Sequence, residues 1–256
     1  MRIANYEIVR YHGHTIDGEE IRYLRGLEFA DFLGMFLRKA HLSAFFFIQI
    51  GAHNGVSNDH LHDSVLKFNL PGILVEPQPQ VFAELQRNYS NCSAVTLENV
   101  AVADREGETT FYTINPELTF LQYANQIASL NRDHTRRMIE HHLAHEAAPE
   151  IVREFKARGL SADTCIVDQT VRSTTFASLM TKHSVPRYEL LQIDAEGYDY
   201  QILKTAGIER YKPSLINYEH EHLNESDREA SWRYLKSLGY RLFTHDIGDT
   251  AAFLLS

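Results

Sequence analysis

The chain has 256 residues, enough for one large domain or a domain with an insertion and too many for a minimal module. Apolar residues make up 44% and charged residues 23%, so enough apolar surface exists to offset chain entropy, and a mainly disordered chain is excluded. Thirty-four acids against twenty-five Lys plus Arg leave a formal charge of −9, which argues against a nucleic-acid partner held through its phosphates.

Residues 1–18 are polar and His-bearing and predict an N-terminal arm or a short strand. Residues 19–41 predict an amphipathic helix, with Ile21, Leu24, Leu27 (or Glu28), Phe32, Met35 and Phe36 near helical spacing. Residues 1–44 thus read as an arm and helix ahead of a domain at 45–256. Short apolar runs follow at 45–50, 72–76, 94–97, 190–194 and 214–218. They are nearly continuous in Phe, Ile, Leu and Val, as in strands covered on both faces. Helices fit between them at about 57–69, 79–90, 197–206 and 225–238. Such alternation predicts an α/β fold with a mostly parallel central sheet and helices on both faces. Residues 240–244 and 251–254, joined by a turn at 246–249, predict a C-terminal hairpin whose antiparallel strand closes one sheet edge. Residues 115–163 contain no buried-strand pattern; Ile139, Leu143, Ala147, Ile151 and Phe155 recur every four residues, which predicts a helical insertion broken near Pro149. Insertions on such sheets often cover the active site.

The longest apolar run, at 44–50, is far too short to span a membrane. The N-terminus shows no apolar stretch of a secretory signal, so the expected setting is cytoplasmic. Cys92 and Cys165 have no metal-type spacing; a reducing compartment is the simpler reading, and a single disulfide stays open.

The first apolar run leads into Gly51-Ala52-His53-Asn54-Gly55 and then a helix. In an α/β sheet this turn lies at the carboxyl end of a strand, where ligands bind. Glycines let the backbone approach a ligand, and a helix N-terminus offers free N–H groups. The second run ends at Glu76, 21 residues after Gly55. A carboxylate there can accept both hydroxyl protons of a ribose. The spacing Gln49-x-Gly51-x-His53-x-Gly55 differs from the dinucleotide loop G-x-G-x-x-G, which weighs against a nicotinamide-linked oxidoreductase. It resembles the D/E-x-G-x-G-x-G loop of class I S-adenosylmethionine-dependent methyltransferases, with Gln49 in place of the acid and His53 in place of the middle glycine.

Five segments in order extend that likeness: Ile48-Gln-Ile-Gly-Ala-His-Asn-Gly55, Val75-Glu-Pro-Gln-Pro79, Asn99-Val-Ala-Val-Ala-Asp104, Thr174-Thr-Phe-Ala-Ser-Leu179 and Leu191-Gln-Ile-Asp-Ala-Glu-Gly197. Together they resemble the FkbM-type methyltransferase family over roughly residues 45–222. The resemblance implies a class I Rossmann-like fold, S-adenosylmethionine as donor, and transfer mostly to oxygen on sugars, polyketides and other small or glycan-linked acceptors. By position, Gly51, His53 and Gly55 would line the methionine and ribose part of the donor, with Gln49 accepting from its ammonium group. Glu76 would hold the ribose hydroxyls, and Pro77 and Gln78 would pass along the adenine face. Asn99, Val100 and Ala101 would edge the adenine, although Asn99 reads equally as a turn residue.

The fourth apolar run ends in Asp194-Ala195-Glu196-Gly197, where the resemblance places the transferring methyl group. Asp194 is the expected active-site contact, as general base or as acceptor-orienting group. With Glu196 it could also bind a hard cation such as Mg²⁺, a role that is not expected; Glu196 reads equally as a helix cap. Glu219 and His220, at the end of the next run, are candidates for the acceptor side of the pocket. His220 and His222, with Asp194 and Glu219, could hold a transition metal, but a solvated loop is the commoner reading, and no metal ligand is assigned. Arg132, Arg136 and Arg137 could meet an anionic acceptor or simply face water. His141 and His145, four apart, could bind zinc, but H-E-x-x-H is absent. The expected partner is a small-molecule or glycan acceptor. The alternative is a methyltransferase-like protein that binds a ligand or partner without turnover.

Overall fold

The computed structural model describes residues 7–16, 19–25, 29–39, 45–121, 126–245 and 248–254. Strands β1 (Glu7–Ile16) and β2 (Glu19–Arg25) precede helix α1 (Phe29–Lys39). Then come β3 (Phe47–Ile50), α2 (His62–Phe68), β4 (Gly72–Val75), α3 (Pro79–Asn88) and β5 (Val95–Glu98). Strands β6 (Ala101–Val102) and β7 (Gly107–Ile114) lead to α4 (Arg132–His145), α5 (Pro149–Ala157) and α6 (Ala162–Cys165). The chain continues through β8 (Ile166–Thr174), α7 (Phe176–Lys182), β9 (Leu190–Ile193), α8 (Asp199–Thr205) and α9 (Ile208–Tyr211). It ends with β10 (Leu215–Glu219), α10 (Glu225–Ser237), β11 (Arg241–His245) and β12 (Asp249–Phe253).

The central sheet runs β1-β2-β11-β12-β10-β9-β3-β4-β5. Strands β10, β9, β3, β4 and β5 are mutually parallel, as expected, and β12 lies antiparallel between β10 and β11. Both faces are covered, which explains the unbroken apolar runs. Ile48, Ile73, Leu191 and Ile216 face one core cluster, while Phe47, Leu74, Leu190 and Leu215 face the other. Burying each such side chain contributes about 1.5–3 kcal/mol, so four short parallel strands with two dry faces form a rigid platform.

Strand β3 has β4 on one side and β9 on the other. Connections leave it in opposite directions, and a crevice opens where the order reverses, at the carboxyl ends. This is the switch point where the glycine loop, Glu76 and Asp194 were expected to meet.

Several expectations need correction. The helix predicted over 19–41 begins only at Phe29; residues Glu19–Arg25 form β2, which pairs antiparallel with β1 and parallel with β11. Ladder partners at the sheet edge override a local helical spacing. The strand reading of the arm holds, as β1. The C-terminal hairpin forms, but it does not close the edge, because β2 and β1 continue the sheet beyond β11; Asp246 and Ile247 of its turn lie outside the described residues. Helix α1 buries Phe29, Leu33 and Leu37, spaced four apart, against the second core cluster.

The insertion is helical, with Pro149 as the first residue of α5. It is carried on a second sheet, β6-β8-β7, that no apolar run announced. Strands β7 and β8 pair antiparallel along eight residue pairs from Gly107↔Ser173 to Ile114↔Ile166. Cys92 and Cys165 are free thiols. Among the described residues no helix is long and apolar enough to cross a membrane.

Candidate active site

The loop after β3 is tied down by backbone bonds. The N–H groups of Gly51 and Ala52 both donate to Val75 O, at 3.0 and 2.9 Å, and Asp194 N–H donates to Ile50 O at 2.9 Å. Gly51 has φ +79°, and a Cβ added there would lie 1.6 Å from Asp194 O. Only glycine lets the β3 and β9 loops touch in this way. Gly55 has φ +71° and lies against Leu85 and Tyr89 of α3 and its cap. His53 adopts φ 47°, so the residue replacing the middle glycine keeps a left-handed backbone.

Glu76 links the first two loops. It is 3% exposed. Its Oε2 accepts the His53 backbone N–H at 3.0 Å, and its Oε1 accepts the Gln78 backbone N–H at 2.8 Å. Burial pushes its carboxyl up to about 7, against the pull of those hydrogen bonds. Its ionised form keeps lone pairs for two hydroxyls. The folded value lies above the ordinary 4.5, so in the free protein this group's stabilisation is complete below that value and lost as pH rises through about 7. Ligand affinity has the opposite sign: binding of a vicinal diol strengthens as pH rises through about 7 and levels above it. Calorimetric titration with S-adenosylhomocysteine across this range checks the expectation; a flat profile contradicts it.

These residues line a cleft of about 280 Å³. Gly51, His53, Glu76, Pro77 and Gln78 line it together with the apolar residues Val100, Ala101, Val102 and Phe111. Asn99 stands behind it. Its amide donates to Glu76 O at 2.8 Å and Pro77 O at 3.1 Å, so it braces the turn. Gln49 is buried on the opposite face of β3, in register with Gln192 of β9, and does not line the cleft.

The acidic end of the cleft is built from the ends of β9 and β10. Asp194 opens into it; desolvation by the walls, then the charge of Glu219, pushes its carboxyl well above the ordinary range. Glu219 and Asp249 also line it, with His60 Nε2 3.1 Å from Asp249 Oδ2. Glu196 is no helix cap. It has φ 50°, and its Oε2 lies 3.1 Å from both His134 Nε2 and His222 Nδ1. His222 Nδ1 also lies 2.8 Å from Glu219 Oε2. Burial opposes charge on His222, but its bonds to Glu196 and Glu219 prevail and push it up to about 11. Burial lowers His134. His220 points elsewhere: its Nδ1 lies 3.0 Å from Thr250 Oγ1, against the Trp232 ring. The structure therefore sets His222, rather than His220, beside Glu219.

A second cavity of about 290 Å³ lies beneath α4, lined by Ile114, Leu121, Met138, Ile139 and Leu143. Glu196 and Gln126 line both cavities, and His222 lines the second. Of the arginines, Arg132 pairs with Asp163 at 2.6 Å, and Arg136 with Asp133 and Glu140 on its own helix. His141 and His145 have ring centroids 4.8 Å apart near the end of α4, with His141 more than half exposed. His134 had no sequence signal, since its partner Glu196 is 62 residues away and the two meet only when α4 docks.

Residues 49–242 match the Methyltransferase FkbM domain. No curated protein matches the sequence. Among solved structures, the methyltransferase FkbM of Methylobacillus flagellatus KT is 15% identical, with TM-score 0.48, covering 82% of this chain and 43% of its own. This chain thus spans less than half of that relative. The N-terminal domain of human METTL16 is 9% identical, with TM-score 0.44, covering 89% and 68%. The precorrin-6y C5,15-methyltransferase of Geobacter metallireducens GS-15 is 12% identical, with TM-score 0.40, covering 82% and 80%. With the glycine loop, the buried acid after β4 and the Asp-Ala-Glu-Gly turn after β9 all inside the matched span, the chain belongs to the FkbM methyltransferase domain family.

Proposed function

We propose that the protein is an S-adenosylmethionine-dependent methyltransferase acting on an oxygen of a sugar, glycan or other small-molecule acceptor. One observation carries the reading: the cleft lined by Gly51, His53 and Glu76 meets the second cavity at Glu196, beside Asp194 and Glu219. The residues present fit the donor. Glu76 has spare lone pairs for a ribose diol, and His53 Nε2 is buried without a partner. The walls at Val100, Ala101 and Phe111 suit a flat base.

The bound donor supplies an electrophilic methyl group on a sulfonium. The chain's own work is to position and to exclude water. Glu76 and the Gly51 loop hold the nucleoside end. Asp194 stands where an acceptor hydroxyl can give up its proton. The apolar lining of the second cavity favours an acceptor with an apolar body. The two free thiols suit the reducing cytoplasm, where we place the protein.

The test is incubation with trideuteromethyl-labelled S-adenosylmethionine and a panel of hydroxylated and carboxylic acceptors, read by mass spectrometry. Label on oxygen supports the reading. Donor binding with no label on any acceptor transfers support to a ligand-binding protein without turnover.

A further inference from the structure

The cluster at the junction of the two cavities is not explained by donor binding. We propose that His134, Glu196 and His222 bind one divalent transition-metal ion, with Glu219 alongside His222.

Three elements bring these groups together: α4 supplies His134, the loop after β9 supplies Glu196, and the end of β10 with its following loop supplies Glu219 and His222. The ligand atoms of His134, Glu196 and His222 all lie within 4.8 Å of one another, and those of Asp194, Glu196 and Glu219 do the same. A metal about 2.0–2.2 Å from nitrogen and oxygen ligands separates neighbouring ligands by roughly 3.0–3.5 Å. The 3.1 Å separations of Glu196 from His134 and from His222 need only small adjustments to reach that spacing, and Glu219 stands 2.8 Å from His222. The same distances suit hydrogen bonds, so spacing alone does not decide.

Charge and packing do. Asp194, Glu196 and Glu219 converge, and among the described residues the ion pairs of Glu196 and Glu219 are with His134 and His222, with no Lys or Arg. Close to them Asp199 is fully buried, with Oδ2 lacking any partner and Oδ1 accepting a long bond from Ala195 N–H at 3.4 Å. Four carboxylates thus share one pair of imidazoles, and among the described residues no Lys or Arg pairs with them. The ligands are also held in place. Ser129 Oγ donates to Glu196 O at 2.7 Å, and His134 is 1% exposed. A Cβ at Gly197 would lie 2.9 Å from His134 Nδ1, so glycine there clears the ring's seat.

The donor set fixes the class of ion. Two imidazoles with carboxylates suit Mn, Fe, Co, Ni or Zn, whereas Mg²⁺ and Ca²⁺ prefer oxygen alone. An ion here faces the second cavity. Its use on an acceptor oxygen rests on the methyl-transfer reading, but its binding does not.

The test uses the full chain without a polyhistidine tag, stripped with chelator and dialysed. Titration with Co²⁺ is followed by calorimetry and visible absorption, and titration with Mg²⁺ by calorimetry. The expected result is one Co²⁺ per chain, bound roughly 100-fold more tightly than Mg²⁺. His134→Gln and His222→Gln each weaken Co²⁺ binding by about 10–100-fold. Glu76→Ala, at the other end of the first cleft, keeps Co²⁺ affinity even if donor binding fails, which separates the two readings. Circular dichroism checks that each variant folds. If a variant does not, electron spin-echo spectra of the Cu²⁺-loaded wild type decide: imidazole nitrogens support the site, and their absence overturns it. No stoichiometric Co²⁺ binding, or binding unchanged in both folded variants, also overturns it.

Discussion

Replacing Asp194 with Asn lowers methyl transfer to a hydroxyl acceptor by about 10²–10⁴-fold, the range lost with a general base. The amide keeps the carboxylate's shape and its place at the end of β9, so the donor's affinity stays within about twofold of wild type. The loss falls on kcat, because the proton must leave as the new bond to oxygen forms. A carboxylic acceptor is already anionic and needs no base, and with it the same variant loses less than about tenfold. Steady-state kinetics with both acceptor types separates the two cases. Full turnover of a hydroxyl acceptor by the Asn variant removes Asp194 from the chemistry.

Gly51→Ala has the largest structural effect. A left-handed backbone at a residue other than glycine costs about 1–3 kcal/mol, and overpacking adds about 1–3 kcal/mol. Both apply here, because φ is +79° and the new Cβ would fall 1.6 Å from Asp194 O. Relief requires the β3 and β9 loops to part, which displaces Asp194 from the acidic end of the cleft. The variant therefore loses about 2–6 kcal/mol of stability, together with donor binding. Urea unfolding followed by circular dichroism measures the first, and calorimetry the second. A variant within about 0.5 kcal/mol of wild type shows that the loops can separate without cost.

The parallel half of the fold was legible because its physics is local. The segments 45–50, 72–76, 190–194 and 214–218 are apolar on both faces, and few environments other than the middle of a covered sheet accept them. Strands β7 and β8 were not legible. Gly107–Ile114 carries three Thr and is exposed over most of its first half, and its partner lies more than fifty residues away, beyond the insertion. Segment 19–25 was misread because Ile21 and Leu24 fit a helical spacing as well as a strand; the neighbouring ladder of β11 decides.

The site divides in the same way. Gly51, His53, Gly55 and Glu76 sit on two consecutive strand ends, so sequence order alone brings them together. The same spacing placed Gln49 on the donor, but strand alternation turns it to the other face, with Phe47. His134, Glu196 and His222 come from three separate elements, and the docking of α4 assembles them. His220 stands two residues from His222, and the turn after β10 sends one ring under Trp232 and the other to Glu219.

The central claim is that this cleft holds a methyl donor through Glu76. Calorimetric titration of the wild type and of Glu76→Ala with S-adenosylmethionine and S-adenosylhomocysteine, above pH 7 where Glu76 is ionised, tests it most directly. The account predicts micromolar binding of both ligands to the wild type and a loss of roughly 100-fold in the variant, as expected when two charge-assisted hydrogen bonds go. No binding of either ligand to the wild type, or equal binding to the Ala variant, contradicts it.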